Sequence, residues 1–122
     1  MRLVTGLGKG MKMIDWKRVT ELRDEIGASE FDEVVELFLE EVDILTTRLR
    51  ASPDPARYEE DMHFLKGCAV NLGFAELSRR CLEGETLAAA GQPERLDLGA
   101  VLSCCESSRT EFLEGLSAGL AA

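Results

Sequence analysis

The sequence is short of several residue types and patterns, and each shortage argues against a class of protein. Its 122 residues include one histidine, one tryptophan and one tyrosine. No apolar run approaches the roughly 20 residues that a membrane-spanning helix needs, so we expect no membrane insertion. The 14 basic residues face 23 acidic ones, for a net charge of −9. This balance repels phosphate backbones, so we expect no nucleic-acid partner.

The four cysteines are Cys68, Cys81, Cys104 and Cys105, and they form no C-x-x-C pair. With a single histidine they do not complete a two-cysteine, two-histidine zinc site, so we expect no metal and no cofactor. Reduced, packed thiols in a cytoplasmic protein are the favoured interpretation. A vicinal disulfide between residues 104 and 105 is a remote alternative.

The first 13 residues differ in character from the rest of the chain. They contain GLGKG, but Gly10 follows Lys9 where a phosphate-binding loop needs serine or threonine, and no strand precedes it. They also lack the apolar core of a secretory signal. We predict a flexible tail over residues 1–13 and one domain over residues 14–120.

Helical periodicity is present almost everywhere after this tail, and strand signals are nearly absent. Asp15 is the predicted N-cap of a first helix that Gly27 ends. Ser29 and Asp32 form an S-x-x-D capping box, which predicts the start of a second helix. The apolar stripe of the second helix comprises Phe31, Val35, Phe38, Val42, Leu45 and Leu49.

Proline and glycine separate the remaining helices. Asp54 is placed to cap a third helix that runs from about Pro55 to about Leu72, where Gly73 interrupts it. A fourth helix is ended by GQP at residues 91–93, and a last helix runs over about 93–117. In the fourth helix the predicted inward residues are Leu77, Cys81 and Leu82.

Short loops between long amphipathic helices imply antiparallel neighbours. We therefore predict an all-α fold, an antiparallel up-and-down four-helix bundle with a short additional N-terminal helix.

The third helix carries the only histidine, His63. Its predicted core stripe comprises Tyr58, Met62, Leu65, Ala69 and Leu72. At about 100° per residue His63 lies off this stripe. Its face of the helix contains Glu59, Glu60, Lys66, Gly67 and Val70.

A lone histidine on a helix is usually a bystander, but these neighbours argue for chemistry. Gly67 costs the helix about 1 kcal/mol relative to alanine, so its use is steric, clearing space one turn from the imidazole. Lys66 supplies a cation that would attract a negatively charged reacting group of a partner, and Val70 offers that partner an apolar contact. An imidazole nucleophile, a cation and a cleared approach are what phosphoryl transfer needs.

At these residues the sequence resembles the histidine-containing phosphotransfer family. The family motif is close to H-x-x-K-G-x-x-x-x-x-G, and HFLKGCAVNLG from His63 to Gly73 matches all four fixed positions. Three further stretches resemble helices of the family: IDWKRVTELRDEIG, FDEVVELFLEEVDILTTRL and GFAELSRRCLEGETLAAAG, the last including Leu77, Cys81 and Glu85.

The resemblance implies that the chain is a phosphoryl carrier without a kinase module, rather than an enzyme. His63 would accept a phosphoryl group from a receiver-domain aspartyl phosphate and pass it to another response-regulator aspartate. Lys66 would stabilise the phosphoryl charge, Gly67 would admit the receiver, and Gly73 would permit a turn or close packing. The implied partners are receiver domains, with a hybrid histidine kinase as a further candidate. Mg²⁺ would belong to the receiver, and we expect a monomer.

The ring needs an acceptor for its second nitrogen, and Glu59 is the first candidate, with Glu60 the second. We also expect Glu59, Glu60 and Val70 to contact the partner. Three alternatives stay open at this stage. The first is a histidine kinase, although no sequence feature supports ATP binding. The second is an adaptor that binds receivers or other signalling proteins without carrying phosphate. The third is a metal site built from His63 and the cysteines, which the spacing of these residues disfavours.

Overall fold

The computed structural model describes residues 12–121, which fold into five α-helices and two short 3₁₀ turns. The helices are α1 (Trp16–Ile26), α2 (Ala28–Ala51), α3 (Tyr58–Leu72), α4 (Ala75–Ala89) and α5 (Leu98–Ser117). The 3₁₀ turns at Pro55–Arg57 and Pro93–Arg95 precede α3 and α5. The predicted all-α bundle with an additional N-terminal helix is confirmed. None of the described helices is long and apolar enough to cross a membrane.

Two ion pairs show that α2 and α5 run antiparallel to each other in the bundle. Arg50, at the end of α2, bonds Glu106 at 2.8 Å, whereas Asp43, earlier in α2, bonds Arg109 at 3.1 Å. The later residue of one helix thus pairs with the earlier residue of the other. Both pairs are solvent-exposed, so they report geometry more than they add stability.

The predicted core stripe of α3 is buried in full, and a charge pair fixes the start of this helix. Asp61 is 3% exposed and accepts a hydrogen bond from Arg48 of α2 at 2.5 Å. Its other carboxylate oxygen has no hydrogen-bond partner among the described residues. Because a buried carboxylate is costly without its cation, this pair holds the first turns of α3 against α2.

The turn between α3 and α4 depends on Gly73 for two reasons. Its φ of +73° is left-handed, and a Cβ at this position would lie 2.8 Å from the Asp15 carbonyl oxygen. The backbone of Asp15 donates to the Gly73 carbonyl at 2.7 Å, and Ala75 donates to the Met13 carbonyl at 2.9 Å. The start of α1 is therefore tied to the α3–α4 turn, as the predicted turn and close packing at Gly73 require.

Aromatic packing joins α1 to the other end of the chain. Trp16 stacks on Phe112 of α5 with ring centroids 5.8 Å apart, and Phe74 meets the same ring edge-on at 5.3 Å. A Cβ on Gly115 would lie 2.1 Å from the Trp16 ring. The indole thus occupies space that only a glycine on α5 leaves free.

Several predicted helix ends are confirmed, whereas the predicted start of α2 is wrong. Asp15 caps α1 by accepting from the Arg18 N–H, Asp54 caps the first 3₁₀ turn, and Gly27 ends α1. The Ser29 capping box is wrong, because α2 already begins at Ala28. Gly27 serves both as the C-cap of α1 and as the N-cap of α2, so Ser29 lies inside the first turn and makes no cap bond.

Two further corrections concern α4 and α5. Leu82 is not inward: it is 53% exposed, because it lies about 100° past the buried Cys81 around the helix. The last helix begins at Leu98 rather than near Pro93, since Leu96 adopts an extended backbone after the 3₁₀ turn and Asp97 provides a new cap. Residues 1–11, including GLGKG, lie outside the described residues, whereas Met13 packs against the core.

Candidate functional site

His63 projects from the middle of α3 into solvent, on the side of the helix that faces away from the core. Its side chain is 71% exposed, while Met62 immediately before it is fully buried. The ring is thus open to a macromolecule that approaches from outside. The core stripe of α3 fixes which way the ring faces, because the helix cannot rotate without exposing that stripe.

Glu85 of α4 connects the side chains of His63 and Lys66 on α3. Its Oε2 lies 2.7 Å from His63 Nδ1, and its Oε1 accepts from Lys66 Nζ at 2.6 Å. An ionised carboxylate has no proton to give, so Nδ1 carries the hydrogen and donates it. In the neutral ring the unprotonated nitrogen is therefore Nε2, which is left available for reaction.

The electrostatics of this cluster keep Glu85 ionised. The Lys66 ammonium and then the His63 ring hold the pKa of the Glu85 carboxyl below its ordinary range, because both hydrogen bonds favour the charged form. Lys66 and Glu85 are partly screened from water, with side-chain exposures of 27% and 20%. The site thus holds the negative charge of Glu85 next to the His63 ring and the positive charge of Lys66 on the same carboxylate.

Gly67 and Val70 leave the approach to the ring clear. A Cβ at position 67 would meet nothing within 4 Å, so the fold itself does not require glycine there. Val70 is 51% exposed, so its apolar side chain is available for contact at the surface. Both residues lie on the face of α3 that His63 occupies, as the helical spacing predicts.

The prediction that Glu59 or Glu60 orients the ring is wrong, because Glu85 occupies that position. Glu60 instead lies 3.7 Å from Arg57, and both glutamates remain on the exposed face of α3. A signal for Glu85 existed in the sequence. Glu85 lies twelve residues after Gly73, and His63 lies ten residues before Gly73. An antiparallel helical hairpin that turns at this glycine therefore brings Glu85 and His63 together.

The cysteines take no part in this cluster. All four are free and buried, and burial raises the pKa of each thiol, that of Cys105 to about 12. They remain protonated at neutral pH and act as small apolar side chains. Within residues 12–121 no group of three or more histidine, cysteine or acidic residues is arranged to hold a metal ion.

Comparison with known protein families finds a match that covers most of the chain. The Hpt domain family model matches residues 33–118, which is more than two thirds of the chain. The match includes α3 and α4, and therefore His63, Lys66, Gly67 and Glu85, whereas α1 lies outside it. No curated protein and no solved structure gives a significant match.

Proposed function

The chain belongs to the Hpt domain family, and from this premise we propose that it carries phosphoryl groups between receiver domains of a two-component phosphorelay on Nε2 of His63. One observation carries the proposal most directly. His63 is exposed, and Glu85 holds its Nδ1, so the outward Nε2 has a free lone pair.

The proposed step is an in-line displacement at phosphorus. The Nε2 lone pair forms a bond to the phosphorus of a receiver aspartyl phosphate, and the bond from phosphorus to the aspartate oxygen breaks. The aspartate leaves as a carboxylate, so no proton has to be supplied. The ring keeps its hydrogen on Nδ1 and becomes cationic, and the Glu85 carboxylate 2.7 Å away stabilises that charge. Transfer to the next receiver reverses these bond changes.

Lys66 supports the same step from the side. Its ammonium shares the Glu85 carboxylate with the ring, which keeps it next to the reacting nitrogen. A cation about 4 Å from a phosphoryl oxygen contributes roughly 1 kcal/mol in water and about 4 kcal/mol at an effective dielectric of 20. A docked partner excludes water, so we expect the larger value to apply in the complex.

The proposal assigns the remaining roles to the surface around the ring. Gly67 makes room for the rim of the receiver's active site, while Glu59, Glu60 and Val70 contact its surroundings. Mg²⁺ belongs to the receiver in this scheme. A cytoplasmic, monomeric carrier without a kinase module is the form we propose, and the four unpaired thiols fit a reducing compartment.

The test uses phosphorylated receiver domains without a kinase. Each is incubated with the wild type and with His63→Gln, and the product is assayed for phosphate that survives base and is lost in acid, as expected for a phosphoramidate. We expect label on the wild type alone. His63 is exposed, so the variant should keep its circular-dichroism spectrum and melting temperature, which serves as the folding control.

Two results would count against a carrier. Equal labelling of His63→Gln would place the phosphate on another residue. Stable binding of receivers without any label on the wild type would favour the adaptor, in which His63 is not chemically used.

A further inference from the structure

An open groove of about 490 Å³ lies at the C-terminal end of the α3 face that carries His63. Helix α1 supplies one wall with Lys17, Arg18 and Glu21. The other walls come from the end of α3, including Val70, and from Ala75 and Ser78 at the start of α4. The groove therefore has an apolar side and a charged side, and neither is part of the His63 cluster.

The groove exists because α1 is held at a defined place. The Asp15 N–H bonds the Gly73 carbonyl at 2.7 Å, and this contact sets the charged residues of α1 opposite Val70. Helix α1 lies outside the residues that match the Hpt family, which begin at residue 33. The charged wall is therefore supplied by a part of this chain that the family match does not include.

The groove falls within reach of a partner that contacts the histidine. Val70 follows His63 by seven residues on α3, which is about 10 Å along the helix. A standard protein interface covers about 800 Å² on each partner, and a disc of that area has a radius of about 16 Å. A receiver centred on His63 therefore extends past Val70 and over the groove.

The charges on the groove wall are not equivalent. Arg18 lies 4.0 Å from Glu21 and 3.6 Å from Glu25, so neighbouring carboxylates partly offset its charge. Lys17 is exposed, and none of the described carboxylates lies within ion-pair distance of it. At the opposite end of the histidine face, Glu59 is exposed and negative. The surface around His63 is thus acidic near the start of α3, and the exposed cation of Lys17 lies near the end of α3.

We propose that this groove is the partner-selecting subsite of the phosphotransfer surface. A receiver seats an apolar side chain between Val70 and Ala75 and places a carboxylate beside Lys17. The charge at Lys17 then discriminates among receivers and fixes their orientation, because a receiver with a cation at that point is repelled. This inference rests on the proposed function and adds to it the chemistry of the preferred partner.

The test separates docking from the reactivity of the histidine. Each protein is labelled by phosphoramidate, a small donor whose P–N bond breaks to release ammonia as Nε2 takes the phosphoryl group. Each is also labelled by a panel of phosphorylated receiver domains, and the receiver rate is divided by that protein's own small-donor rate. The variants are Lys17→Glu, which reverses the charge, Lys17→Arg, which keeps it, and Ser78→Trp, which fills the groove. Thr110→Trp, on the exposed face of α5, is the matched bulk control.

We expect Ser78→Trp to lower the normalised receiver rate more than tenfold and Thr110→Trp to leave it unchanged. Lys17→Glu should lower it about fivefold for the best receivers, the effect of losing about 1 kcal/mol of exposed charge attraction. Its effect should differ among receivers, and Lys17→Arg should restore the rate. Normalised rates that stay at the wild-type value in both Ser78→Trp and Lys17→Glu would overturn the inference. Wild type that takes no label from any receiver would instead refute the proposed function, and the inference would fall with it.

Discussion

Replacing Gly67 by alanine should make the protein more stable and at the same time a poorer phosphoryl carrier. Glycine inside a helix is less favourable than alanine by about 0.8–1.0 kcal/mol. The gain should be realised in full here, because a Cβ at position 67 meets nothing within 4 Å. For a domain of this size about 1 kcal/mol corresponds to a rise of about 4 °C in melting temperature.

The same methyl group projects one turn from His63, into the space a receiver needs. Displacing a partner's reacting group by about 1 Å can cost roughly 100-fold in rate. We therefore expect the transfer rate from a phosphorylated receiver to fall by about that factor in Gly67→Ala. Labelling by phosphoramidate should fall much less, since a small donor needs no room above the next turn of the helix.

The measurements are urea unfolding for stability and timed label transfer for activity. Gly99→Ala is the matched control, since its Cβ would make only an ordinary contact, 3.6 Å from the Asp97 carboxylate, in the first turn of α5. It should leave transfer unchanged. A Gly67→Ala protein that is more stable and still transfers within twofold of the wild-type rate would refute the steric role. Loss of stability would refute the open geometry around position 67.

Three further outcomes follow from the contacts of Glu85 and Gly73. Glu85→Gln should slow transfer at least tenfold and shift the neutral His63 ring away from the Nδ1–H tautomer, as nitrogen NMR of the ring would report; an unchanged tautomer would remove the positioning role. Because the pKa of the Glu85 carboxyl is lowered, the carboxylate should persist at pH 5, and its contribution to stability should be lost only as pH falls below the ordinary carboxyl range of about 4. The carboxyl carbon signal of Glu85 would follow its protonation, and urea unfolding would follow the stability. Gly73→Ala should lower the free energy of unfolding, measured in urea, by about 2–4 kcal/mol, because it combines left-handed backbone strain with a backbone clash. Gly91→Ala should lower it by only about 1 kcal/mol, because Gly91 has a φ of +77° but open space around it. Equal losses in the two glycine variants would contradict the close approach at Gly73.

Much of this protein could be predicted from local sequence. Helix periodicity, the caps at Asp15 and Asp54 and the break at Gly73 each depend on a few neighbouring residues, and all of them occur in the structure. The shared face of His63 and Lys66 is equally local, because residues three or four apart on one helix must lie together. Where local signals competed, as at Ser29, the turn geometry of Gly27 determined where the helix began.

Contacts between helices were decided only by the tertiary structure. Glu59, on the same helix, was the natural candidate for orienting the ring, yet the carboxylate that does so comes from α4, on the far side of a turn. Which residue of α4 faces His63 depends on how the α3–α4 hairpin packs, and that is a property of the whole core. The groove beside Val70 has the same origin, since its charged wall exists only because α1 is tied to Gly73. The sequence by itself determined the helices and the position of the candidate histidine, because these depend on neighbouring residues. Packing between helices determined the orientation of the histidine ring and the surface that surrounds it.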